Sequence, residues 1–369
     1  MIERIKQTLR IRQLKALFEK YERVLIPGTL VFGVIVDFIT FRSIRVSTAF
    51  TILIVYFILA GVTVAFINAF DTHRIPTGFI SFKYLRLAAP LLIQFTFGAL
   101  LSASFIFYWF SGALSVSWPL LLIVVILMIS NEVFRHYYLK PVVQVSVYFF
   151  ISFSLSSLML PFVFNSISPW LFLAGGVGSL LFLFGYLYLL MLRLPNIRDA
   201  RHQIALYVIA IFATMNALYF LGVIPPIPLS IREADVYHDV RRNGNDYTLL
   251  AEQESLVDRL IPGERVHLRA GDPIYLFTSI FAPADLNTTI VHRWEYYDEA
   301  RREWTRESRL SFSIIGGRDG GYRGYSRRIG LEPGLWRVNI ETVRGQVLGR
   351  IRIKIVRVVE GPELFEVQR

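Results

Sequence analysis

Ile224-Pro225-Pro226-Ile227-Pro228-Leu229-Ser230 is the stretch on which the reading of this chain turns. Three prolines in four positions cannot continue a helix, because proline lacks the amide donor and crowds the turn before it. They favour a stiff extended path, where a Gly/Ser tether would be floppy. Before this stretch, one apolar segment follows another with short basic gaps between them. After it come short alternating segments dense in Arg and Trp. Residues 24–224 therefore read as a transmembrane domain and 231–369 as a folded water-soluble domain, with 225–230 as the linker holding it at a defined height.

Of the 369 residues, 54% are apolar and the mean hydropathy is +0.48, too apolar for an ordinary soluble protein. A helix needs about 20 mostly apolar residues to cross the hydrocarbon. Seven stretches qualify: 24–41, 48–70, 88–110, 114–130, 142–164, 169–192 and 205–224. The first is short and carries Pro27, Gly28, Gly33 and Asp37. It leaves open a six-span alternative in which that segment lies in the interface or folds back. Ahead of it, residues 1–23 place Ile2, Ile5, Leu9, Leu14, Leu17 and Phe18 at helical spacing among basic residues. This is the pattern of a basic amphipathic helix lying on the cytoplasmic leaflet.

Charge sets the orientation. With seven spans, the segments on the N-terminal side hold fifteen Lys and Arg, and the short opposite segments hold only Arg42 and Arg45. Basic residues stay in the cytoplasm, so the N-terminus is expected inside and the C-terminal domain outside. Trp109, Trp118 and Trp170 fall at the outer ends of their spans, the interfacial depth an indole prefers. No cleavage site follows the first apolar stretch, which is expected to act as an uncleaved anchor. The expected location is thus a membrane crossed many times, with the β domain on its outer side and the lipid bilayer as its first partner. With no cysteine in the chain, disulfides, cysteine-ligated clusters and thiol catalysis are excluded.

The formal net charge of +11 invites a nucleic-acid reading, which its distribution rejects. Residues 231–369 hold 22 basic and 21 acidic side chains. The excess lies in the membrane half, where topology and anionic lipid account for it.

Beyond the linker, period-two alternation dominates. Trp336, Val338 and Ile340 share one face, with Arg337, Asn339 and Glu341 on the other. Ile351, Ile353 and Ile355 alternate with Arg350, Arg352 and Lys354. Further strands are expected over 265–270, 273–282, 288–297 and 304–314, with turns at Gly316-Gly317, Gly320-Gly321, Pro333-Gly334 and Asn243-Gly244. Some eight strands suggest a two-sheet sandwich. A turn centred near Glu299 sets Trp294 opposite Trp304, while Trp294 and Trp336 are expected in the core. The fold class is a membrane α-helical bundle followed by an all-β immunoglobulin-like sandwich.

The stretch 291–356 resembles an uncharacterised bacterial inner-membrane family whose hallmark is a C-terminal domain of unknown function, sometimes joined to a multi-span region. The residues that carry the likeness are His292-Arg293-Trp294-Glu295-Tyr296-Tyr297, Tyr325-Ser326-Arg327-Arg328, Gly334-Leu335-Trp336-Arg337-Val338 and Gly345-Gln346-Val347-Leu348-Gly349. The resemblance implies an envelope protein with an exported sandwich domain, and it brings no catalytic residue.

No motif for chemistry stands out. Ionisable residues avoid mid-span depth, where a carrier would need them. Asp37 is the one acid worth testing, against a snorkelling role. Gln94, Ser102, Ser152, Ser154 and Asn216 are neutral groups suited to interhelical hydrogen bonds. Ala174-Gly175-Gly176-Val177-Gly178-Ser179 lacks the Lys of a phosphate loop, and its small residues four apart (Ala174/Gly178, Gly175/Ser179) suit close helix packing. The six histidines show no ligand spacing, no nucleophile elbow occurs, and no cofactor is expected. Asp298, Glu299 and Glu303 read as solvated hairpin-tip residues.

The aromatic and arginine residues of the outer domain form the candidate recognition surface: Tyr297, Trp304, Arg318, Tyr322, Arg323, Tyr325, Arg327 and Arg328. Planar rings stack on sugar faces, and guanidinium forks suit carboxylate or phosphate. The expected function is therefore non-enzymatic binding of an envelope protein or an anionic periplasmic glycan, as an accessory or scaffold subunit. The alternative is a transporter or lipid-handling protein with a periplasmic docking domain.

Overall fold

A computed structural model describes residues 46–74, 80–111, 114–134, 136–164, 166–225, 229–244, 246–252, 264–281, 287–315 and 322–369, with Ile35 and Asp37. The expected amphipathic helix over 1–23 lies outside the described residues. So does the expected span over 24–41, save for Ile35 and Asp37, which are helical.

Among the described residues from Val46 on, seven α-helices precede the strands: α1 (Val46–Asp71), α2 (Ile80–Ser111), α3 (Leu114–Val133), α4 (Pro141–Val163), α5 (Pro169–Met191), the short α6 (Pro195–Asp199) and α7 (Arg201–Phe220). All but α6 are long and apolar enough to cross a membrane. Their apolar residues cover every side instead of one stripe, the mark of a helix with no aqueous face. The chain falls into two compact units. One is built on Met1–Ile106, Leu121–Ser157 and Leu173–Met215. The other is built on Phe107–Leu120, Leu158–Phe172 and Asn216–Arg369.

In the first unit α4 is central, with 78% of its apolar window buried against 17% for α7. Neutral polar side chains tie the helices together, as expected where few other donors compete. Asn68 Nδ2 donates to Gln144 Oε1 at 2.7 Å, and Asn196 Nδ2 donates to Asn68 Oδ1 at 2.7 Å. Gln94 reaches Glu132, Asn131 donates to the Gln94 carbonyl, and Ser154 meets Ser104. In the small-residue run of α5, Gly175, Gly176 and Ser179 are buried. A Cβ on Gly176 would lie 2.6 Å from the Phe153 ring, and Ser179 bonds Ser156 at 3.0 Å. Gly178 faces open space, so of the two small pairs expected to pack, Gly175/Ser179 does and Ala174/Gly178 does not.

Helix α7 stops at Phe220, four residues short of the expected 224, for a local reason. Gly222 takes a left-handed φ of 72°, and the Val223 amide turns back to the Leu218 carbonyl at 2.9 Å. This is a glycine C-cap, which ends the helix before the prolines are reached. Of the linker, 226–228 lie outside the described residues, while the flanking Ile224 and Leu229 are buried.

The C-terminal region is β-rich: β1 (Ser230–Tyr237), β2 (Asp239–Asn243), β3 (Asp246–Glu252), β4 (Glu264–Leu268), β5 (Pro273–Phe281), β6 (Asn287–Asp298), β7 (Glu303–Ile315), β8 (Tyr322–Ile329), β9 (Gly334–Thr342), β10 (Val347–Arg357) and β11 (Leu364–Gln368). They form three sheets, ordered β1-β5-β8, β4-β10-β9-β6-β7 and β11-β3-β2. The expectation of some eight strands in two sheets is thus corrected to eleven in three, among the described residues. The third sheet also shows why β5 is buried along most of its length. Ile274, Leu276 and Ile280 join a large core shared with the five-stranded sheet, including Ile290, Trp294, Val338 and Ile353. Phe277 and Tyr275 point the other way, into a smaller core with Tyr237, Val240, Tyr247 and Leu249. Strand alternation thus lets one three-stranded sheet serve two cores.

Trp294 and Trp336 lie in the large core as expected, 0% and 3% exposed. The register of the β6–β7 hairpin differs from the expected one. Asp298 pairs with Glu303, so the loop takes four residues, with Arg302 at a φ of 56°. That sets Tyr297 opposite Trp304 and Trp294 opposite Ser308. The cross-strand aromatic pair is Tyr297–Trp304, with ring centroids 5.1 Å apart.

Candidate functional site

Because side chains alternate along a strand, each core residue of the five-stranded sheet has neighbours that face away from the core. On β9 these are Arg337, Asn339 and Glu341, and on β10 they are Arg350, Arg352 and Lys354. On β6 they are Arg293, Glu295 and Tyr297, on β7 Trp304, Arg306 and Arg309, and on β4 Arg265. Strand pairing puts all of them on one surface, with eight cations and two carboxylates.

Both carboxylates are buried under the arginines around them. Glu295 accepts from Arg337 and from Asn339 Nδ2 (2.8 Å), and Arg293 lies 3.6 Å from it. Glu341 is 1% exposed and meets Arg293 at 3.1 Å and Arg309 at 3.6 Å. Burial pushes the Glu341 carboxyl above its usual range, against the pull of Arg293 and Arg309. Arg350 donates to Asn339 Oδ1 at 2.6 Å. Burial, and then the like charges of Arg337 and Arg352, pull its guanidinium below its ordinary value. That like-charge effect is the signature of cationic crowding. Among the described residues, Arg265, Arg306, Arg352 and Lys354 have no carboxylate within ion-pair distance, and all four are exposed. The surface is therefore an array of cations held upright by two shared acids, with four exposed cations beyond ion-pair distance of either acid. At one corner the Arg337 guanidinium sits 4.3 Å over the Trp304 ring, beside Tyr297.

The eight residues singled out in the sequence do not form one patch. Tyr297 and Trp304 belong to this basic surface. Arg318 lies outside the described residues. The others stand on β8, in a different sheet. Tyr322 packs on the large core, and Arg328 is half-buried opposite Ile274. Arg323, Tyr325 and Arg327 face the other way. There Tyr325 is 5.9 Å from Tyr275 and 6.4 Å from Tyr247, Arg327 lies 5.8 Å over Tyr275, and Arg323 is 3.8 Å from Asp246. The basic surface itself was signalled by the alternation of Arg350, Arg352 and Lys354, and of Arg337, Asn339 and Glu341. What the alternation did not disclose is that these strands lie beside β6 and β7.

Two further polar clusters lie away from this surface, one fully buried and one partly exposed. His292 is fully buried, with Nδ1 2.8 Å from Ser326 Oγ and Nε2 3.2 Å from Thr278 Oγ1, and Trp294 Nε1 donates to the same Ser326. Burial pushes the imidazole down to about 3. A Ser–His contact of this kind has no access for a substrate, since Ser326 is 5% and His292 0% exposed. At the other cluster Glu252 accepts from the His267 amide (2.7 Å) and meets His238 (2.7 Å) and His267 (2.9 Å) through their rings. Burial alone raises the Glu252 carboxyl, but the bonds from His238 and His267 outweigh it and hold it below the usual range. Among the described residues, no group of three or more His, Cys, Asp or Glu side chains is placed to hold a metal ion.

Residues 287–355 match a family described only as a protein of unknown function, DUF2914. The match begins with β6, ends within β10 and so carries most of the basic surface. A comparison with curated proteins returns no match. Among solved structures, an immunoglobulin-like protein from Pseudomonas aeruginosa is similar at 10% identity and a TM-score of 0.20, over 35% of this chain and 96% of its own. A β-glucosidase from Listeria innocua is similar at 12% identity and a TM-score of 0.19, over 30% of this chain. The chain spans only 16% of that enzyme's length. The alkylpurine DNA glycosylase AlkC of Pseudomonas fluorescens is similar at 11% identity and a TM-score of 0.24, over 76% of this chain and 84% of its own. Likenesses at these scores carry no argument about activity.

Proposed function

We propose that this chain is a multi-pass protein of a bacterial inner membrane whose β-rich region stands in the periplasm as an immunoglobulin-like sandwich with an added sheet. There it binds an anionic component of the envelope, without catalysis, as an accessory or scaffold subunit. The six apolar helices support the anchoring. The excess of Lys and Arg on the N-terminal side of the spans supports the orientation.

The observation that carries the binding role is the outward surface of the five-stranded sheet. Four exposed cations with no described carboxylate within ion-pair distance, of which Arg306 feels Glu341 only from further off, are costly to gather on one surface unless something negative meets them. The reading is tested by co-sedimentation of the full chain, in detergent, with isolated cell-envelope fragments. Retention is expected at low salt and its loss in 0.5 M salt is expected from screening, since the Debye length falls to about 4 Å. The triple variant Arg306→Glu, Arg352→Glu, Lys354→Glu is expected to stay in the supernatant. Equal retention of that variant removes the surface from the function. Orientation is checked separately, because a cysteine-free chain takes a single reporter thiol. Cysteine at exposed Arg301 is expected to react with an impermeant maleimide in whole spheroplasts; reaction only after lysis would reverse the topology.

A further inference from the structure

We infer that the ligand of the basic surface is an anionic polysaccharide, laid across the strands of the five-stranded sheet. This inference rests on the binding role proposed above and names the chemistry of what is bound.

The argument starts from the order of groups along the surface. Cross-strand pairing makes rows that run perpendicular to the strands. In one row Trp304 is opposite Tyr297 on β7 and β6; one residue beyond the last β6–β9 pair, Tyr296–Trp336, Leu335 on β9 is opposite Lys354 on β10, which is opposite Arg265 on β4. In the next row Arg306 is opposite Glu295, Glu295 opposite Arg337, and Arg337 opposite Arg352. A polymer crossing the sheet along the first row thus meets an aromatic pair, then Leu335, 41% exposed, and then two cations. Along the second it meets cations at nearly every strand.

Neighbouring strands are about 4.8 Å apart, close to the advance of one pyranose residue along a glycan. Sugars carry both features that the rows offer to meet: an apolar C–H face for Trp304, Tyr297 and Leu335, and carboxylate or phosphate substituents for the guanidiniums. An acidic peptide binds a sheet most tightly by adding a strand at its edge, whereas this array lies on the flat of the sheet. A bilayer surface presents its charge without order and gains nothing from a row that begins with aromatic rings.

The test measures binding of the full chain, in lipid nanodiscs without anionic lipid, to four immobilised probes: polygalacturonate, uncharged dextran, polyglutamate and phosphatidylglycerol vesicles. Polygalacturonate is expected to bind most tightly and dextran not at all. The Arg306→Glu, Arg352→Glu, Lys354→Glu variant is expected to bind polygalacturonate at least about tenfold more weakly, the loss of favourable long-range charge. Trp304→Ala is expected to weaken polygalacturonate about fivefold, the equivalent of one aromatic contact, and to leave polyglutamate unchanged. Arg327→Glu on β8 is expected to change neither. If Trp304→Ala fails to fold, the uncharged Leu335→Ser, which removes an apolar contact without adding charge, serves the same arm of the experiment.

Tighter binding of polyglutamate than of polygalacturonate overturns the inference in favour of an acidic protein, and binding of vesicles alone overturns it in favour of a membrane. Undiminished polygalacturonate binding by the triple variant also overturns it. Envelope retention that persists while polygalacturonate fails refutes the polysaccharide and leaves the proposed function standing. Loss of both refutes the two together.

Discussion

Acidification is expected to destabilise the C-terminal unit through one buried imidazole. In the folded chain His292 is neutral, because burial pushes it down to about 3 from its ordinary value of 6.5. Unfolded, it titrates near 6.5. Above pH 6.5 neither state binds the proton, so the group adds no pH dependence. Between 6.5 and 3 the unfolded state binds a proton that the folded state refuses, and stability falls with falling pH by about 1.4 kcal/mol per unit. Below 3 both states are protonated and the loss stops growing. At pH 4.5, two units into this window, the loss is about 2.7 kcal/mol, a large share of the 5–15 kcal/mol typical of a domain. The assay is urea unfolding of the full chain in detergent at pH 7, 6, 5 and 4.5, followed by tryptophan fluorescence. Trp294 reports locally, since its indole donates to the Ser326 hydroxyl that His292 also touches. His292→Gln is the reference, because glutamine offers a donor to Thr278 and an acceptor to Ser326 without titrating. Carboxylates elsewhere act equally on both proteins, so the difference in slope isolates the imidazole. Parallel pH profiles, or a His292 resonance titrating near 6.5 in the folded protein, would falsify this account; the resonance decides the matter if the glutamine variant does not fold.

Glu252→Gln is expected to cost about 1–3 kcal/mol at pH 7, the penalty for weakening a buried charged hydrogen-bond centre. Its carboxyl is depressed in the folded state, so its contribution is present above the unfolded carboxylate pKa and fades as pH falls through the lower folded value. Wild type and variant should converge in acid, and divergence there would contradict the assignment. Gly324→Ala drives a Cβ into the Phe312 ring and is expected to cost about 1–3 kcal/mol by overpacking. Thermal unfolding measures it, and an unchanged midpoint would show that β7 and β8 do not approach so closely. In the helices, Asn68→Ala removes bonds to both Gln144 and Asn196 and is expected to cost about 0.6–1.7 kcal/mol, read as a lower unfolding temperature in detergent. No change would mean that those amides are solvated and not joined.

Local periodicity carried much of the architecture. The apolar runs from 48 onward form helices, the structure in which a single segment of about twenty apolar residues satisfies its backbone hydrogen bonds within itself. Strands β5, β6, β7, β9 and β10 announced themselves by alternation, and with them the burial of Trp294 and Trp336. Less legible were β2, β3 and β11. Arg241, Arg242 and Asn243 in a five-residue strand give no alternation to detect, and β11 pairs with β3 from more than a hundred residues away. The β6–β7 register also escaped, because the conformation of Arg302 decides the loop length and so which aromatic faces Trp304.

The sequence by itself determined that the chain has an apolar helical half and an alternating β half, and which side of each strand is apolar, since these depend on the spacing of neighbouring residues. Only the tertiary structure decided which strands lie side by side. That order gathers Arg293, Arg306, Arg337, Arg350 and Arg352 around Glu295 and Glu341, and it sends Tyr325 and Arg327 to another sheet. The physical reason is that a side chain's direction follows from the residue itself and its neighbours in the chain, whereas its company is set by hydrogen bonds between segments far apart in it.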